Sequence, residues 1–445
     1  MRIALPCLTW LLAMALTACG EGQLTSPDAP LQPPPQQAWD DSDIADEKTD
    51  EPLPEELTEL DAQTLSVPIA PAQCDQIWTL VNQKVDVAAA LNACINETPS
   101  GGTLELPPGT LWVGNAVDIN HPIIVRTAGT DESMPACGRR NGPPCTIIKA
   151  LPTLNTAENG FFRMNADGVV VDHLIVDGSR KARRNTEAGQ SCRRGRNSFG
   201  HNIRMAGGDS RLSNTESRNA LCGTGLLIYD GTSNPYGKVI EHNRIRRNGT
   251  HDTPNMWADG VTVHGGHVGL VFRGNFVSDN TDVDLIVAEC TDCVFHHNRI
   301  THTRRWSYRS FAALMLHSWG GSGDFTGSRF EHNQIDCGPM KACLFGMQLG
   351  SKPWTRNARV YQGGRFHKNL VRRAKVGVNV GVMRKVTFTG NRIERSGGDE
   401  NAKRCGPRRF PTFVVHPESR VRIRSGSFKG KEGVERLAWE SCLPI

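Results

Sequence analysis

The chain has 445 residues, of which 51 are Lys or Arg and 46 are Asp or Glu, so its formal net charge is +5. After residue 19 no apolar run is long enough to cross a membrane. The sequence also lacks a Gly-x-x-x-x-Gly-Lys-Ser/Thr phosphate-binding loop and a Gly-x-Ser-x-Gly nucleophile elbow, so nothing in it indicates a nucleotide or flavin cofactor.

Residues 1–19 have the pattern of an export signal. Arg2 precedes an apolar stretch at residues 5–16, which is too short to span a bilayer permanently. The stretch leads into Leu-Thr-Ala-Cys, ending at Cys19, and this resembles the lipobox of bacterial lipoproteins. The resemblance implies lipidation at Cys19, attachment to a membrane through that lipid, and, because Gly20 follows, an outer-membrane or cell-surface location. An ordinary signal peptide is the alternative.

Residues 20–72 form a Pro-rich acidic segment with 13 Asp and Glu against one Lys. Such a composition cannot bury enough apolar area to offset chain entropy, so the sequence predicts a disordered tether. Residues 73–445 therefore carry about +16 of the formal charge. For an exported protein, this basic folded part predicts an acidic polysaccharide as partner rather than nucleic acid. We predict a monomer.

Twelve cysteines remain when Cys7 and Cys19 are set aside, and an even number in an exported chain predicts disulfides. The sequence does not fix the connectivity, but neighbours along the chain form six natural pairs: Cys74–Cys94, Cys137–Cys145, Cys192–Cys222, Cys290–Cys293, Cys337–Cys343 and Cys405–Cys442. Zinc is the alternative at Cys290 and Cys293. A zinc ribbon, however, needs two close Cys-x-x-Cys pairs, and the chain has one.

The folded part begins with a predicted helix at residues 85–94, followed by a Gly-Gly strand and a Pro-Pro-Gly turn. Short β-branched runs follow, which predict strands at 123–125, 169–171, 174–176, 226–228, 261–263, 285–287, 314–316 and 376–380.

An asparagine followed by an aliphatic residue recurs between residues 170 and 394, at intervals of 32, 23, 35, 36 and 22 residues. The repeated residues are Asn243, Asn275, Asn298, Asn333, Asn369 and Asn391. The short intervals match one coil of a parallel β-helix, so we predict that the asparagine side chains stack in a ladder. The adjacent histidines are predicted to form a solvated surface stripe: His242, His297, His332 and His367.

The first helix, strand and turn resemble the start of the pectate-lyase-like right-handed parallel β-helices. This resemblance implies an all-β solenoid whose N-terminal helix caps the open end of the coil. We predict the β-helix at 73–400, and a basic C-terminal cap at 401–445, closed by Cys405 and Cys442.

Three long coils carry extra residues at about 179–200, 246–258 and 301–311. Because the register repeats, these excursions should leave the coil at one edge and form one wall of a groove. Aromatic rings stack on sugar faces and arginine pairs with carboxylates, so we predict substrate contacts there; solvated loops are the alternative. The predicted substrate-binding residues are Trp257, Arg304, Arg305, Trp306, Tyr308, Arg309 and, from the adjacent turn, Trp354.

Asp259 and Asp282 are 23 residues apart, which is one coil, so we predict that they lie on neighbouring rungs, with Asp284 on the same face. Paired carboxylates at such a distance fit glycoside hydrolysis, in which one carboxyl stays protonated as the general acid. His264 and His317 are candidate proton carriers in a similar column. The alternative interpretation is that these aspartates shape turns.

Asp259-Gly260 and Asp282 resemble parts of the Asn-Thr-Asp-Gly and Asp-Asp motifs of polygalacturonase-type glycoside hydrolases. The sequence departs from both motifs, because Trp257-Ala258 replaces Asn-Thr and the adjacent pair becomes Asp-Val-Asp. The resemblance implies hydrolysis of a polysaccharide. Two alternatives remain: a lyase in which the three aspartates hold Ca²⁺ opposite an arginine base, and a glycan-binding surface protein without catalysis.

Overall fold

The computed structural model describes residues 74–156, 159–229, 234–303, 310–319, 321–355, 359–399, 409–429 and 434–438. The fold is a right-handed parallel β-helix in which each coil contributes one strand to each of three faces, here named A, B and C in chain order. Adjacent coils pair through parallel ladders, such as those of residues 294–296 with 329–331 and of residues 261–263 with 285–287. The coil predicted from the sequence is confirmed.

Face A consists of Thr103–Leu106, Ile124–Thr127, Val170–Asp172, Arg211–Ser213, Val239–Glu241, Val271–Arg273, Val294–His296, Asp324–Glu331, Tyr361–His367 and Met383–Arg384. Face B consists of Gly109–Val113, Thr146–Ala150, Leu174–Asp177, Glu216–Arg218, Arg244–Arg246, Phe276–Ser278, Arg299–Thr301, Gln334–Asp336 and Leu370–Arg372. The strands Val386–Glu394 and Val421–Lys429 run through both faces and join them into one sheet. Face C consists of Val117–Ile119, Phe162–Met164, Ile203–Met205, Gly223–Tyr229, Ala258–Val268, Val283–Thr291, Ala312–Leu316, Phe345–Leu349, Val376–Val380, Phe413–Val415 and Val434–Arg436.

The interior is built from columns of apolar side chains, one from each coil. On face A the inward column is aromatic: the rings of Phe295 and Phe366 each lie 4.8 Å from that of Phe330, centroid to centroid, and almost parallel to it. The column continues to Phe272 on one side and to Phe388 on the other. All five side chains are fully buried. Stacking from Phe295 to Phe388 fills this part of the coil, whereas the earlier rungs fill the same column with aliphatic residues such as Val171 and Ile240.

The corner between faces A and B contains the predicted asparagine ladder. Asn298 Nδ2 donates to Asn333 Oδ1 at 2.9 Å, and Asn333 Nδ2 donates to Asn369 Oδ1 at the same distance. Each Oδ1 also accepts the backbone N–H of the asparagine one coil back. The ladder extends from Asn243 to Asn391, and its members are buried. It satisfies corner backbone groups that the strands leave unpaired.

The N-terminal end of the coil is covered by helix, as the sequence predicted. The described residues include the helices Cys74–Leu80, Ala88–Glu97, Arg180–Arg183 and Glu187–Arg193 and a 3₁₀ turn at Asn197–Phe199. Asn92 on the second helix donates to the carbonyl oxygen of Ala116 and accepts the N–H of Asp118, both at 2.8 Å. It therefore pairs with backbone groups of the first face C strand, which would otherwise remain open to another chain.

Five disulfides join neighbouring cysteines among the described residues: Cys74–Cys94, Cys137–Cys145, Cys192–Cys222, Cys290–Cys293 and Cys337–Cys343. The bond between Cys290 and Cys293 is a disulfide rather than part of the zinc site considered from the sequence. The sixth predicted pair, Cys405 and Cys442, lies outside the described residues, as do the predicted signal at 1–19 with Cys19 and the tether at 20–72.

The coil does not end at residue 400, where the sequence analysis placed its boundary. Phe413–Val415 pairs with the face C strand at 378–380, and Val434–Arg436 pairs with Phe413–Val415 in turn. Parts of the predicted C-terminal cap therefore add rungs to the solenoid, because their inward residues Phe413 and Val415 continue the core. No helix in the described ranges is long and apolar enough to cross a membrane.

Candidate active site

Face C begins at the corner where the first two long excursions return to the coil. Residues 179–200 and 247–257 both leave the coil after a face B strand and return at the start of a face C strand, so they emerge at the same corner. The third predicted excursion leaves at this corner too, after Arg299–Thr301. At the other edge of face C, the turns after the strands carry Trp319 and Trp354. Face C is thus bordered by the excursions at one edge and by the turns with Trp319 and Trp354 at the other.

Asp259 lies partly exposed on the outside of face C, beside Val283 of the next rung. Val261 and Leu285 belong to the core, whereas Val283, two residues before Leu285, belongs to an apolar cluster on the outer side of face C. A side chain at Gly260 would meet the carbonyl oxygen of Asp284 at 2.4 Å. Only glycine fits this close approach of two strands, which gives the Asp-Gly pair a physical reason.

The carboxylate of Asp259 is held by two hydrogen bonds. Its Oδ1 accepts the backbone N–H of Val283 at 3.0 Å, and its Oδ2 accepts the hydroxyl of Thr262 at 2.9 Å. The strand register places Asp259 level with Val283, because Val261 pairs with Leu285 in a repeat of 24 residues. The sequence analysis assumed a repeat of 23 residues, which would have placed Asp282 level with Asp259. With a repeat of 24 residues, Asp282 lies one residue before that level. Its N–H donates to the carbonyl oxygen of Ala258.

Asp259 and Asp282 are close enough to influence each other's ionisation. Burial, together with the negative charge of Asp282, raises the pKa of Asp259 well above its ordinary value. Burial raises the pKa of Asp282 to about 6. Two carboxyl groups that share one site do not both ionise near neutral pH, so the pair retains a proton. Asp259 is the member favoured to keep it, because both burial and the charge of Asp282 oppose its ionisation.

Asp284 does not join this pair on the surface of face C, contrary to the sequence analysis. Its side chain is fully buried; Oδ1 accepts Nδ2 of Asn280 at 3.0 Å, and Oδ2 lies 2.6 Å from Nε2 of His302. Simple alternation fails within this strand, because Val283 belongs to the outer cluster although Leu285, two residues later, belongs to the core. Asp284 ends a second polar ladder, in which Asn248 donates to Asn280. Asp284 therefore lies inside the coil, beneath the surface that carries Asp259 and Asp282.

The third carboxylate needed for the predicted Ca²⁺ site is therefore missing from the surface. Asp284, His302 and Cys343 are the group of potential ligands that converges within the described part of the chain. Cys343 is bonded to Cys337, so its sulfur is not available as a thiolate. The convergent group is thus a buried carboxylate–imidazole contact beside a disulfide, and it does not resemble the oxygen-rich cage that Ca²⁺ requires.

An aromatic row crosses the outer side of face C, beyond the aspartates. The ring of His264 is stacked between Tyr229, with centroids 5.3 Å apart, and Trp319, at 5.6 Å. The guanidinium of Arg204 lies 4.9 Å from the centroid of Tyr229. His264 is partly exposed and lies five residues beyond Asp259 on the same strand. Stacked rings ending in a cation form a surface suited to a sugar chain with acidic groups.

His317 is not at the surface, as its predicted role as a proton carrier would require. It is 1% exposed, and it packs edge-on against the rings of Trp319 and Trp354. Its Nδ1 lies 3.5 Å from the hydroxyl of Tyr361. Burial lowers the pKa of His317 to about 4, so the imidazole is neutral at physiological pH. It supports the tryptophans rather than contacting a ligand.

Trp354 belongs to an apolar cluster that covers the C-terminal half of face C. Its ring lies 4.9 Å from that of Phe311, centroid to centroid, and Met315 and Phe345 are buried in the same cluster. The cluster begins at Val283, next to Asp282, and continues toward the C-terminal coils.

Trp257 lies at the start of the face C strand, partly exposed, with its ring 6.3 Å from that of His251 in the second excursion. It stands directly before Ala258 and Asp259, where a bound chain would pass. The remaining predicted substrate contacts lie outside the described residues: Arg304, Arg305, Trp306, Tyr308 and Arg309.

No protein-family model matches the sequence, and no curated protein matches it significantly. Among solved structures, the catalytic domain of Agl-KA aligns with a TM-score of 0.52 and 16% identity, over 83% of this chain and 69% of that chain. The chain shares the parallel β-helix fold.

Two further solved structures align with lower TM-scores. The endo-xylogalacturonan hydrolase from Aspergillus tubingensis aligns with a TM-score of 0.49 and 11% identity, over 80% of this chain and 91% of that chain. The A-module of the Azotobacter vinelandii mannuronan C-5 epimerase AlgE6 aligns with a TM-score of 0.48 and 15% identity, over 82% of this chain and 89% of that chain. At such identities the likeness extends to the fold alone.

The sequence analysis of this β-helix missed Arg204, Tyr229, Thr262 and Trp319. The signal for Tyr229 was present, because aligning the strands by their inward residues places it directly beside His264 on the neighbouring rung. Thr262 follows Asp259 at the next outward position. Trp319 stands in a turn, and spacing carries no information about which way a turn directs its side chain.

Proposed function

We propose that this β-helix binds an acidic polysaccharide along face C and hydrolyses it with Asp259 and Asp282. The observation that carries the proposal is the pair of partly exposed aspartates with raised pKa values on the floor of face C. Asp259 acts as the general acid that protonates the leaving oxygen, and Asp282 acts as the base that activates water.

The acidic character of the substrate is supported by charge. Residues 73–445 carry about +16 of formal charge, and Arg204 lies at one end of the aromatic row. Arginine pairs with a carboxylate in two hydrogen bonds, and the partly exposed rings of Tyr229 and Trp319 add apolar surface beside it. Together they favour a polymer with uronic acids over a neutral polymer.

The test is incubation of the purified protein with uronate-containing and neutral polysaccharides, each with and without a chelator. Hydrolysis of a uronate polymer is expected to release reducing ends, without ultraviolet absorbance from unsaturated chain ends, and to be insensitive to the chelator. Chelator-sensitive absorbance would assign a lyase instead. Retention of the polymer without new chain ends would assign a non-catalytic binder.

Membrane attachment is the second part of the proposal, and it rests on the Leu-Thr-Ala-Cys sequence that ends at Cys19. A Cys19→Ser variant cannot carry the thioether lipid. It is expected to leave the membrane fraction after cell lysis, whereas the wild-type chain stays with it. An unchanged distribution between the two fractions would rule out lipid attachment at this residue.

A further inference from the structure

The hydroxyl of Thr262 contacts the carboxyl group of Asp259 directly. Thr262 Oγ1 lies 2.9 Å from Asp259 Oδ2, and within the described part of the chain the hydroxyl has no second hydrogen-bond partner. The residues on either side, Val261 and Val263, belong to the core, so Thr262 is an outward residue of face C although it is only 7% exposed. The hydroxyl therefore serves this one carboxyl group.

The other hydrogen bond of Asp259 decides which oxygen carries the acidic proton. Asp259 Oδ1 accepts the backbone N–H of Val283 at 3.0 Å. A backbone N–H can only donate, and in a protonated carboxyl group the carbonyl oxygen is the stronger acceptor, so Oδ1 is that oxygen. The proton that Asp259 keeps beside Asp282 is therefore on Oδ2, the oxygen that faces Thr262.

A hydroxyl suits this position because it can both donate and accept. When Asp259 is protonated, Thr262 Oγ1 accepts the Oδ2 proton; when Asp259 is ionised, the hydroxyl rotates and donates to Oδ2. The second arrangement stabilises the charged carboxylate, which burial and the charge of Asp282 disfavour. Thr262 thus lowers the cost of giving the proton away.

The titratable groups around Asp259 come from its own strand and from rungs on both sides: Asp282, Asp284, His264, Arg204 and His201. Asp282 and Asp284 oppose the ionisation of Asp259, since their charges have the same sign. Arg204 is level with Thr262 but two rungs away, or about 10 Å. Substitution of Thr262 leaves all five groups in place, so a changed titration of Asp259 would report the hydroxyl.

We propose that Thr262 is a positioning residue for the acid, whose hydroxyl holds the Oδ2 proton of Asp259 until a glycosidic oxygen replaces it as acceptor. This inference rests on the proposed hydrolysis. In the transfer the Oδ2–H bond breaks and an O–H bond forms on the glycosidic oxygen, which leaves with the electron pair of its bond to the anomeric carbon. Water gives a proton to Asp282 and its hydroxyl to that carbon. Thr262 then donates to the new Asp259 carboxylate.

Thr262→Val tests the inference, because valine removes the hydroxyl and keeps the branched shape that suits a strand. We expect kcat to fall about 10- to 100-fold, as for the loss of a hydrogen bond to a charged group. The alkaline limb of kcat/KM should move to higher pH, because the ionised Asp259 loses a donor. Thr262→Ser keeps the hydroxyl and should restore both the rate and the limb. Disturbed packing alone would lower the rate without this shift.

A measurement that needs no activity is ¹³C NMR of the full chain labelled at the aspartate carboxyl carbons. The signal of Asp259 is the one that disappears in Asp259→Asn. In Thr262→Val it should titrate at higher pH than in the wild type, and in Thr262→Ser at the wild-type pH. Thr387→Val makes the same change at an outward position of face A and should alter nothing. Circular dichroism confirms that each variant is folded.

The two measurements separate this inference from the proposed hydrolysis. If Asp259 titrates alike in Thr262→Val and the wild type, the inference is overturned even when the polymer is cleaved. A serine variant that shifts the titration as far as valine does would overturn it too. If the valine variant shifts the titration but the wild type cleaves no polymer, the hydroxyl holds the proton and the proposed hydrolysis is wrong.

Discussion

Replacement of Asp259 or Asp282 by asparagine is expected to lower kcat for polysaccharide hydrolysis about 10²- to 10⁴-fold, the range that a positioned general acid or base contributes. Asparagine keeps the shape of the side chain, and its amide still has an oxygen to accept the N–H of Val283. The loss therefore reports proton transfer rather than folding. Initial rates of reducing-end release, at saturating and at low substrate, measure it.

The pH profile should separate the two roles. Asp282, with its pKa raised to about 6, must be ionised to activate water, so kcat/KM is expected to fall as the pH drops below about 6. Asp259 must stay protonated, so activity should fall again at its higher pKa. Asp282→Asn removes a negative neighbour and is expected to move the residual alkaline limb to lower pH.

Asp292→Asn is the control, because Asp292 is an exposed aspartate at a corner of the coil, with a φ of 55° that asparagine tolerates. Its rate should match that of the wild type. If both site variants hydrolysed the polymer at the wild-type rate, the assignment of Asp259 and Asp282 would be wrong, whatever the substrate proves to be.

Phe330→Ala is expected to lower the free energy of unfolding by about 3–5 kcal/mol, as for large buried aromatic residues in general. Phe330 stands in the middle of the face A column, with a ring 4.8 Å away on each side. Its removal leaves a cavity that Phe295 and Phe366 cannot fill, because the strands fix both rings. Urea unfolding followed by circular dichroism measures the change.

Phe330→Leu is the matched comparison, since it keeps most of the apolar volume. It should destabilise the protein by about 1 kcal/mol. A cost for Phe330→Ala no greater than that for Phe330→Leu would mean that the column is loosely packed. Such a result would contradict the continuous stack, and with it the rigid floor that face C requires.

The coil was predictable from the sequence because its signals repeat. The interval between asparagines measures one coil directly, and the ladder from Asn243 to Asn391 follows from it. Strands at 261–263 and 285–287 followed from their β-branched residues. The N-terminal helix was placed three residues early, at 85–94 rather than Ala88–Glu97, because helix ends depend on local capping.

The site was less predictable, since it depends on departures from the repeat. Asp284 was placed on the outer face by simple alternation, but alternation breaks between Val283 and Leu285, and Asp284 is buried. His317 was placed at the surface by its column, but Trp319 and Trp354 from two different turns cover it. A period in the sequence gives the level of a residue along the coil, but it does not show what packs over that residue.

The asparagine ladder has a consequence for how such a protein changes over evolutionary time. Each amide serves the coil before it and the coil after it, so insertion of a single residue at this corner would leave donors and acceptors unmatched on both sides. Duplication of an entire coil would restore the match. The architecture therefore leaves two routes of change open. The chain can gain whole coils at the ladder corner, and it can vary loop length at the corner between faces B and C.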